Sequence, residues 1–290
     1  MNIPVHDLAV RVVYCSFSMT LHMKLRAPLR LPAWPGLLAL LALLAPVVLP
    51  SHAAEAAAVA PPASPILDPE KEGMELAVKL RSAFPSSDSE VRGVLETRTE
   101  TGRSRKQPLQ CTIKVSPTNW VVTYRAGDPV EQERLEVLTI VHTPGQPNAY
   151  RLELGTNAAA GKTSPPAVTT PLAGSDFWVL DLGLDFLHWP VQRALRAEMS
   201  RGRPARVIES VTPAPVAGGY TRVLSWIDLE TGGVLQAEAF GMQTNRPLKK
   251  FALGSFEKVA GQWQLRDMRM RNLKAGTQSE LKFELNKPAE

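Results

Sequence analysis

The sequence predicts a mainly β protein, an antiparallel sheet of about eleven strands covered by helices. Three observations predict it. Residues 220–285 repeat a unit of strand, glycine turn and strand: YTRVLSWIDLETGGVLQAEAFG, then LKKFALGSFEKVAGQWQLRDMRMRN, then LKAGTQSELKFEL. Earlier segments alternate with a period of two, as where Thr112, Lys114 and Ser116 oppose Cys111, Ile113 and Val115. No strand–helix–strand alternation is present, which excludes a parallel sheet. A sheet with apolar residues on both faces needs cover on each, and the cover proposed for one of them is a hydrocarbon guest.

Of the 290 residues, not all are expected to fold. Residues 1–22 carry no interpretable pattern, and Met1, Met19 and Met23 are alternative starts. Lys24, Arg26 and Arg30 precede the apolar run Leu37–Leu49, and Ser51-His52-Ala53 supplies small residues for cleavage near Ala53. This is the layout of a secretory signal peptide. The run is shorter than the roughly 20 residues of a spanning helix and contains Pro46, so cleavage is favoured over a retained anchor. Residues 54–69 (AEAAAVAPPASPILDP) read as a disordered Ala/Pro spacer. Residues 70–290 remain as a single domain. Losing residues 1–53 removes Arg11, Lys24, Arg26, Arg30 and Asp7 and brings the net charge from +5 to about +2. With no basic stripe interleaved with aromatics, nucleic acid is excluded as a partner. Cys111 is then the sole cysteine, so the fold rests on its core rather than on disulfides.

Glu70–Phe84 has helical spacing, with Met74, Ala77, Val78 and Leu80 on one side and Pro85 as the stop. Strands are expected at Val91–Thr101, Leu109–Ser116, Trp120–Arg125, Leu135–His142 and Tyr150–Leu154. Asn157–Pro171 reads as a loop. Phe177–Trp189 is dense in large apolar residues and reads as a lid or a core segment. Pro190 opens a second expected helix, reaching about Met199 with Val191, Leu195 and Met199 as its stripe. Strands follow at Ala205–Ser210, Tyr220–Asp228, Val234–Phe240, Leu248–Lys258, Gln262–Asn272 and Thr277–Leu285, joined by glycine hairpins.

Gly174-Ser175-Asp176-Phe177, then Ser225–Gly233 (SWIDLETGG), then Leu253–Asn272 (LGSFEKVAGQWQLRDMRMRN), resemble the outer-membrane lipoprotein-sorting proteins of the LolA-like superfamily. Those proteins carry an SDF segment, an "IDxETGxxL" strand turn and a "FxxxxGxWxxxxMxxxN" strand pair in the same order, here spanning Gly174 to Leu285. The resemblance implies an unclosed antiparallel β-barrel, LolA/LolB-like, with helices plugging its mouth over a hollow for acyl chains. It also implies a periplasmic, non-enzymatic carrier. Its partners would be lipoprotein acyl chains or another lipid, an inner-membrane donor and an outer-membrane acceptor, and the carrier itself would be a monomer. The chain departs from such carriers in length and in its extra segment Trp189–Arg203, and no position matches their lid-contacting arginine.

The candidate lipid-lining residues are Trp120, Val122, Phe177, Trp178, Leu180, Leu182, Leu184, Phe186, Trp189, Leu224, Trp226, Phe240, Phe251, Met268 and Met270. For any one of them ordinary core packing is the competing reading, and the alternation at Tyr220–Asp228 does not say whether Leu224 and Trp226 or Val223 and Ile227 point inward. The carrier reading expects a crevice large enough for an alkyl tail beneath a movable flap. Asp176 is expected to anchor its turn, and Asp181 and Asp185 to be solvated or capping; with His142 and His188 the only histidines after the leader, no metal site is expected. No cofactor is expected, and no catalytic residue: there is no nucleophile elbow, phosphate loop or CxxC. The alternative function is a periplasmic lipid-sensing or interaction module that regulates envelope stress.

Overall fold

A computed structural model describes residues 68–128, 135–155, 165–242, 245–259 and 262–285. The expected leader and spacer up to residue 67 lie outside the described residues. The first element is helix α1, Pro69–Arg81. Asp68 caps it by accepting from the Lys71 amide at 3.0 Å, Pro69 fills the first turn where no amide partner is needed, and acids open and bases close the helix. Of the expected stripe Ala77 and Leu80 are buried, but Met74 is only half-buried and Val78 is exposed, and Gly73 completes the buried face. Gly73 sets that face. A Cβ there would lie 2.6 Å from Arg193 Cα, so only glycine lets the helix press against the backbone of the neighbouring strand.

Fourteen strands are described. They are β1 (Ser89–Arg98), β2 (Ser104–Val115), β3 (Trp120–Ala126), β4 (Glu136–His142), β5 (Ala149–Leu154), β6 (Val191–Ser200) and β7 (Arg203–Val211). The rest are β8 (Arg222–Asp228), β9 (Val234–Phe240), β10 (Lys249–Leu253), β11 (Phe256–Val259), β12 (Gln262–Leu265), β13 (Asp267–Asn272) and β14 (Thr277–Phe283). Twelve form one antiparallel sheet in the order β5-β4-β3-β2-β1-β14-β13-β10-β9-β8-β7-β6, and β11–β12 make a separate hairpin. Two meanders, β1–β5 and β6–β13, are therefore zipped together by the last strand, which pairs with β1 on one side and β13 on the other. The sheet is unclosed, with β5 and β6 at its edges.

The excess over eleven strands has two causes. The expected strands Leu248–Lys258 and Gln262–Asn272 each break in two, because Gly254 and Ser255 turn the chain out of the sheet into the hairpin. The expected helix from Pro190 to Met199 is instead β6. Its supposed apolar stripe points the wrong way: Val191 and Met199 are exposed, and Gln192 and Ala194 are buried. The register with β7 skips Leu195, so a bulge shifts the alternation mid-strand, and a period-two pattern broken once there looks like spacing of four.

Because β5 and β6 are opposite edges, the chain between them has to cross the sheet. Its described part, residues 165–189, lies over one face together with α1. It contains a 3-10 turn (Leu172–Gly174), a short helix α2 (Val179–Gly183) and a second 3-10 turn (Asp185–His188). That inner face holds the main core, running from Leu95 and Trp120 to Met268 and Leu281. The outer face carries a smaller cluster of Ala205, Val207, Trp226 and Leu235.

Candidate functional site

A hollow lies between the inner face and the crossing segment. The strand side is a grid fixed by register: Val223 pairs with Ala239 and Ala239 with Lys249, while Ala237 pairs with Phe251 and Phe251 with Met270. Leu253 pairs with Met268 in the next row. Ala237 and Ala239 sit where the hollow forms, because two methyl side chains in the middle of a sheet otherwise lined by Phe, Met, Leu and Val leave the floor low. The roof is Phe177, Leu182, Leu184 and Phe186 from the crossing segment.

The free volume is about 40 Å³. On this measure about 10–15 Å³ holds one water, so the hollow has room for a few waters at most. The expected alkyl-sized crevice is therefore not present in this conformation: the roof residues, themselves 1–8 % exposed, fill the space.

Seven of the fifteen residues singled out by sequence line this hollow: Phe177, Leu182, Leu184, Phe186, Phe251, Met268 and Met270. Val122 and Leu180 are in the surrounding core, and Trp189 packs half-buried against it. Trp120 is fully buried elsewhere in that core, stacked on His142 at 5.0 Å and edge-on to Phe84 at 4.9 Å. Trp178 lies beside the hollow as a platform under Lys249. Leu224 and Trp226 are corrected to the outer face, where Trp226 Nε1 donates to Glu198 at 2.5 Å; Val223 and Ile227 take the inner positions. Phe240 is corrected too: it lies under the Arg222 guanidinium at 4.1 Å and lines a separate, solvent-open groove of about 480 Å³.

The sequence does not announce the polar wall. Lys249 is 2 % exposed. Its Nζ donates to the Asp176 carbonyl at 2.6 Å, lies 3.3 Å from the centroid of the Trp178 ring and stands 3.6 Å from Asp181 Oδ2. Asp181 also accepts from the Trp178 amide at 2.9 Å and from the Tyr220 hydroxyl at 3.0 Å, and Tyr220 stacks on Trp178 at 4.9 Å. Burial pushes the Lys249 ammonium down to about 8, against the pull of its acids, and pushes the Asp181 carboxyl up despite Lys249. Asp181 thus does cap its helix, but it is buried, not solvated. Asp176 anchors its turn to β14, accepting from Thr277 at 2.6 Å and Ser279 at 2.8 Å. A signal for Lys249 existed: in LKKFAL it shares a strand face with Phe251 and Leu253.

A second set of polar contacts fixes the other end of α2. Asn148 Nδ2 donates to the Gly183 carbonyl at 2.8 Å and to Asp185 Oδ1 at 2.9 Å, and its Oδ1 meets His142 Nδ1 at 2.7 Å. The Tyr150 hydroxyl donates to the same Asp185 oxygen. Gly183 is needed here, since a Cβ would overlap that hydroxyl. Burial raises the Asp185 carboxyl, and burial lowers His142 to about 4. Asp181 and Asp185 are therefore committed to different contacts. Among the described residues no cluster of His, Cys, Asp or Glu is arranged to hold a metal ion.

An unclosed antiparallel sheet with a plugged apolar face defines the LolA-like fold, and comparison with solved structures places the chain in that fold. It is similar to a DUF1329 family protein from Desulfovibrio piger (TM-score 0.61, 18 % identity, 75 % of this chain and 92 % of that one). It is also similar to a putative outer membrane lipoprotein-sorting protein domain from Vibrio parahaemolyticus (TM-score 0.55, 18 % identity, 76 % and 94 %). A LolA superfamily protein from Nitrosomonas europaea gives a TM-score of 0.51 at 18 % identity, over 75 % and 92 %. A family model described as "Uncharacterized protein" matches residues 160–288. None of the curated proteins matches.

Proposed function

We propose that this protein is a non-enzymatic periplasmic carrier that takes acyl chains, of lipoproteins or another lipid, into the hollow under residues 172–189 and moves them toward the outer membrane. One observation carries the reading: the crossing segment roofs an apolar sheet face floored by Ala237 and Ala239, and it is bound to the sheet by separate polar contacts from Ala173 to Asp185 rather than by a strand ladder of its own. The likeness to a putative lipoprotein-sorting domain supports it at the level of fold. Export rests on the leader read in residues 23–53; among the described residues no helix is long and apolar enough to cross a membrane.

An alkyl tail does not fit the closed hollow, so loading requires the segment to move off the sheet. The tail then replaces the roof side chains against Phe251, Met268 and Met270. Each buried methylene contributes about 0.8 kcal/mol, so a long chain offsets the apolar packing that the roof gives up on opening.

The test is an organic extract of the exported protein, analysed by mass spectrometry, with titration of a fluorescent alkyl probe. Bound lipid or saturable probe uptake is expected, and Ala237→Leu, which raises the floor, is expected to cut uptake at least fivefold while the protein stays folded. An empty protein that ignores the probe would overturn the reading.

A further inference from the structure

The wall of the hollow contains an ion pair that storing hydrocarbon does not require. Lys249 comes from the sheet, but its three nearest partners all come from the roof: the Asp176 carbonyl, the Trp178 ring and the Asp181 carboxylate. Moving the roof to admit a guest strips the ammonium of its counter-ion, its acceptor and its aromatic platform together. Its direct partners across the sheet are Ala239 and Asn272, with Phe251 and Met270 in the next row and the Tyr220 ring 5.8 Å away; none of them carries a negative charge. A buried charge left without a partner is strongly disfavoured. Beside a neutral guest the lysine has to give up its proton, whereas a guest ending in an anion lets it keep its charge and a partner.

We propose that the hollow selects a single-chain amphiphile with a carboxylate head, which takes Asp181's place beside Lys249 while its tail runs along the Phe251–Met270 row. This deepens the carrier reading and rests on it. The head replaces a carboxylate, so size and charge match what Lys249 already holds. The Tyr220 hydroxyl, released by Asp181, becomes a second donor for the head. The same pair explains the closed form, because Asp181 serves as the occupant's stand-in: the roof stays shut until a guest brings its own carboxylate. An amine head would set two cations together and is rejected.

The experiment is displacement of a neutral fluorescent alkyl probe from the exported protein by palmitate, 1-hexadecanol and hexadecylamine at pH 7.5, each below its aggregation threshold. Palmitate is expected to bind at least tenfold tighter than hexadecanol, with hexadecylamine weakest. Lys249→Met is expected to bring palmitate down to the hexadecanol level while hexadecanol binding persists. Asp181→Asn, which keeps the lysine and weakens the closed form, is expected to tighten both guests and preserve their ratio; it decides the matter if Lys249→Met does not fold. Equal affinities for palmitate and hexadecanol in the natural protein would overturn the proposal and leave the carrier reading intact. So would an acid preference that survives Lys249→Met, or one that vanishes in Asp181→Asn. Displacement by none of the three would overturn the carrier reading, and this proposal with it.

Discussion

Around α2 the crossing segment is fastened to the sheet by an ion pair on one side and by uncharged donors on the other. At β10 a buried ammonium faces a carboxylate, a carbonyl and an indole ring. At β4 and β5 the Asp185 carboxyl is held by Asn148 and Tyr150, neither of which carries charge. The difference determines what each end needs on opening. The Asn148 end exposes amide, phenol and carboxyl groups that water satisfies, whereas Lys249 stays in an apolar wall and needs another anion. On the proposed opening, the Asn148 contacts would serve as a hinge or clasp and the Lys249 contacts as the part that reads the guest.

The sharpest way to break this comparison is to unbalance the charged end. Lys249→Met leaves Asp181 buried without its cation and is expected to cost about 3–5 kcal/mol, while Lys249→Met with Asp181→Leu removes both charges and recovers most of that loss. Chemical denaturation of the two variants measures it. If the single and double variants were equally unstable, the ion pair would not be what closes that end. At the neutral end Tyr150→Phe removes one donor from Asp185 while Asn148 remains, so a smaller loss of about 1–3 kcal/mol is expected in the same assay.

How much of this was readable in the chain follows the same division. The meanders and nearly every strand were legible because alternation and glycine turns are local signals, and the LolA-like resemblance was carried by three motifs in order. The helix expected after Pro190 failed because the bulge at Leu195 disguised a strand, and a bulge is decided by pairing with β7 rather than by β6 itself. Within the hollow, the large apolar residues of the roof were found from composition. Ala237 and Ala239 were not, since a small residue signals a cavity only once its neighbours across the sheet are known. Leu224 and Trp226 were misplaced because the inner face of β8 is set by that same register.

Two buried groups that share Asn148 respond to pH in opposite senses. His142, lowered to about 4 from an ordinary 6.5, is held neutral by burial next to Asn148. The unfolded chain takes up its proton first, so stability falls as pH drops from about 6.5 toward 4, by about 3 kcal/mol. Asp185, raised by burial, works in the opposite sense: its contribution is present at low pH and lost as pH rises through its folded value. Comparing the natural protein with His142→Gln isolates the histidine, and the variant is expected to show a flatter, less acid-sensitive profile over that window. Identical slopes would mean that the neutral end does not sense protons through His142.

The smallest expected effect concerns strain in the roof. Ala173 and Leu184 both adopt left-handed backbone conformations, with φ of 48° and 53°. For a residue with a Cβ this costs about 1–2 kcal/mol, which glycine avoids at an entropic cost of about 0.5–1 kcal/mol. Ala173 contributes little else, since its tie to the sheet is through backbone: its amide donates to Glu136 at 2.8 Å and its carbonyl accepts from Gln107 at 3.2 Å. Ala173→Gly is thus expected to raise stability slightly, by less than about 1 kcal/mol. Leu184→Gly relieves the same kind of strain but removes a buried side chain from the roof, so its loss of packing outweighs the relief and the variant is expected to melt lower. Opposite signs in the two melting curves would show that the roof is held down by its side chains and its polar ends, against its own backbone geometry. Two variants shifting in the same direction would show that the left-handed residues do not set the roof's stability, and the opening cost would then fall on its side-chain packing and polar contacts.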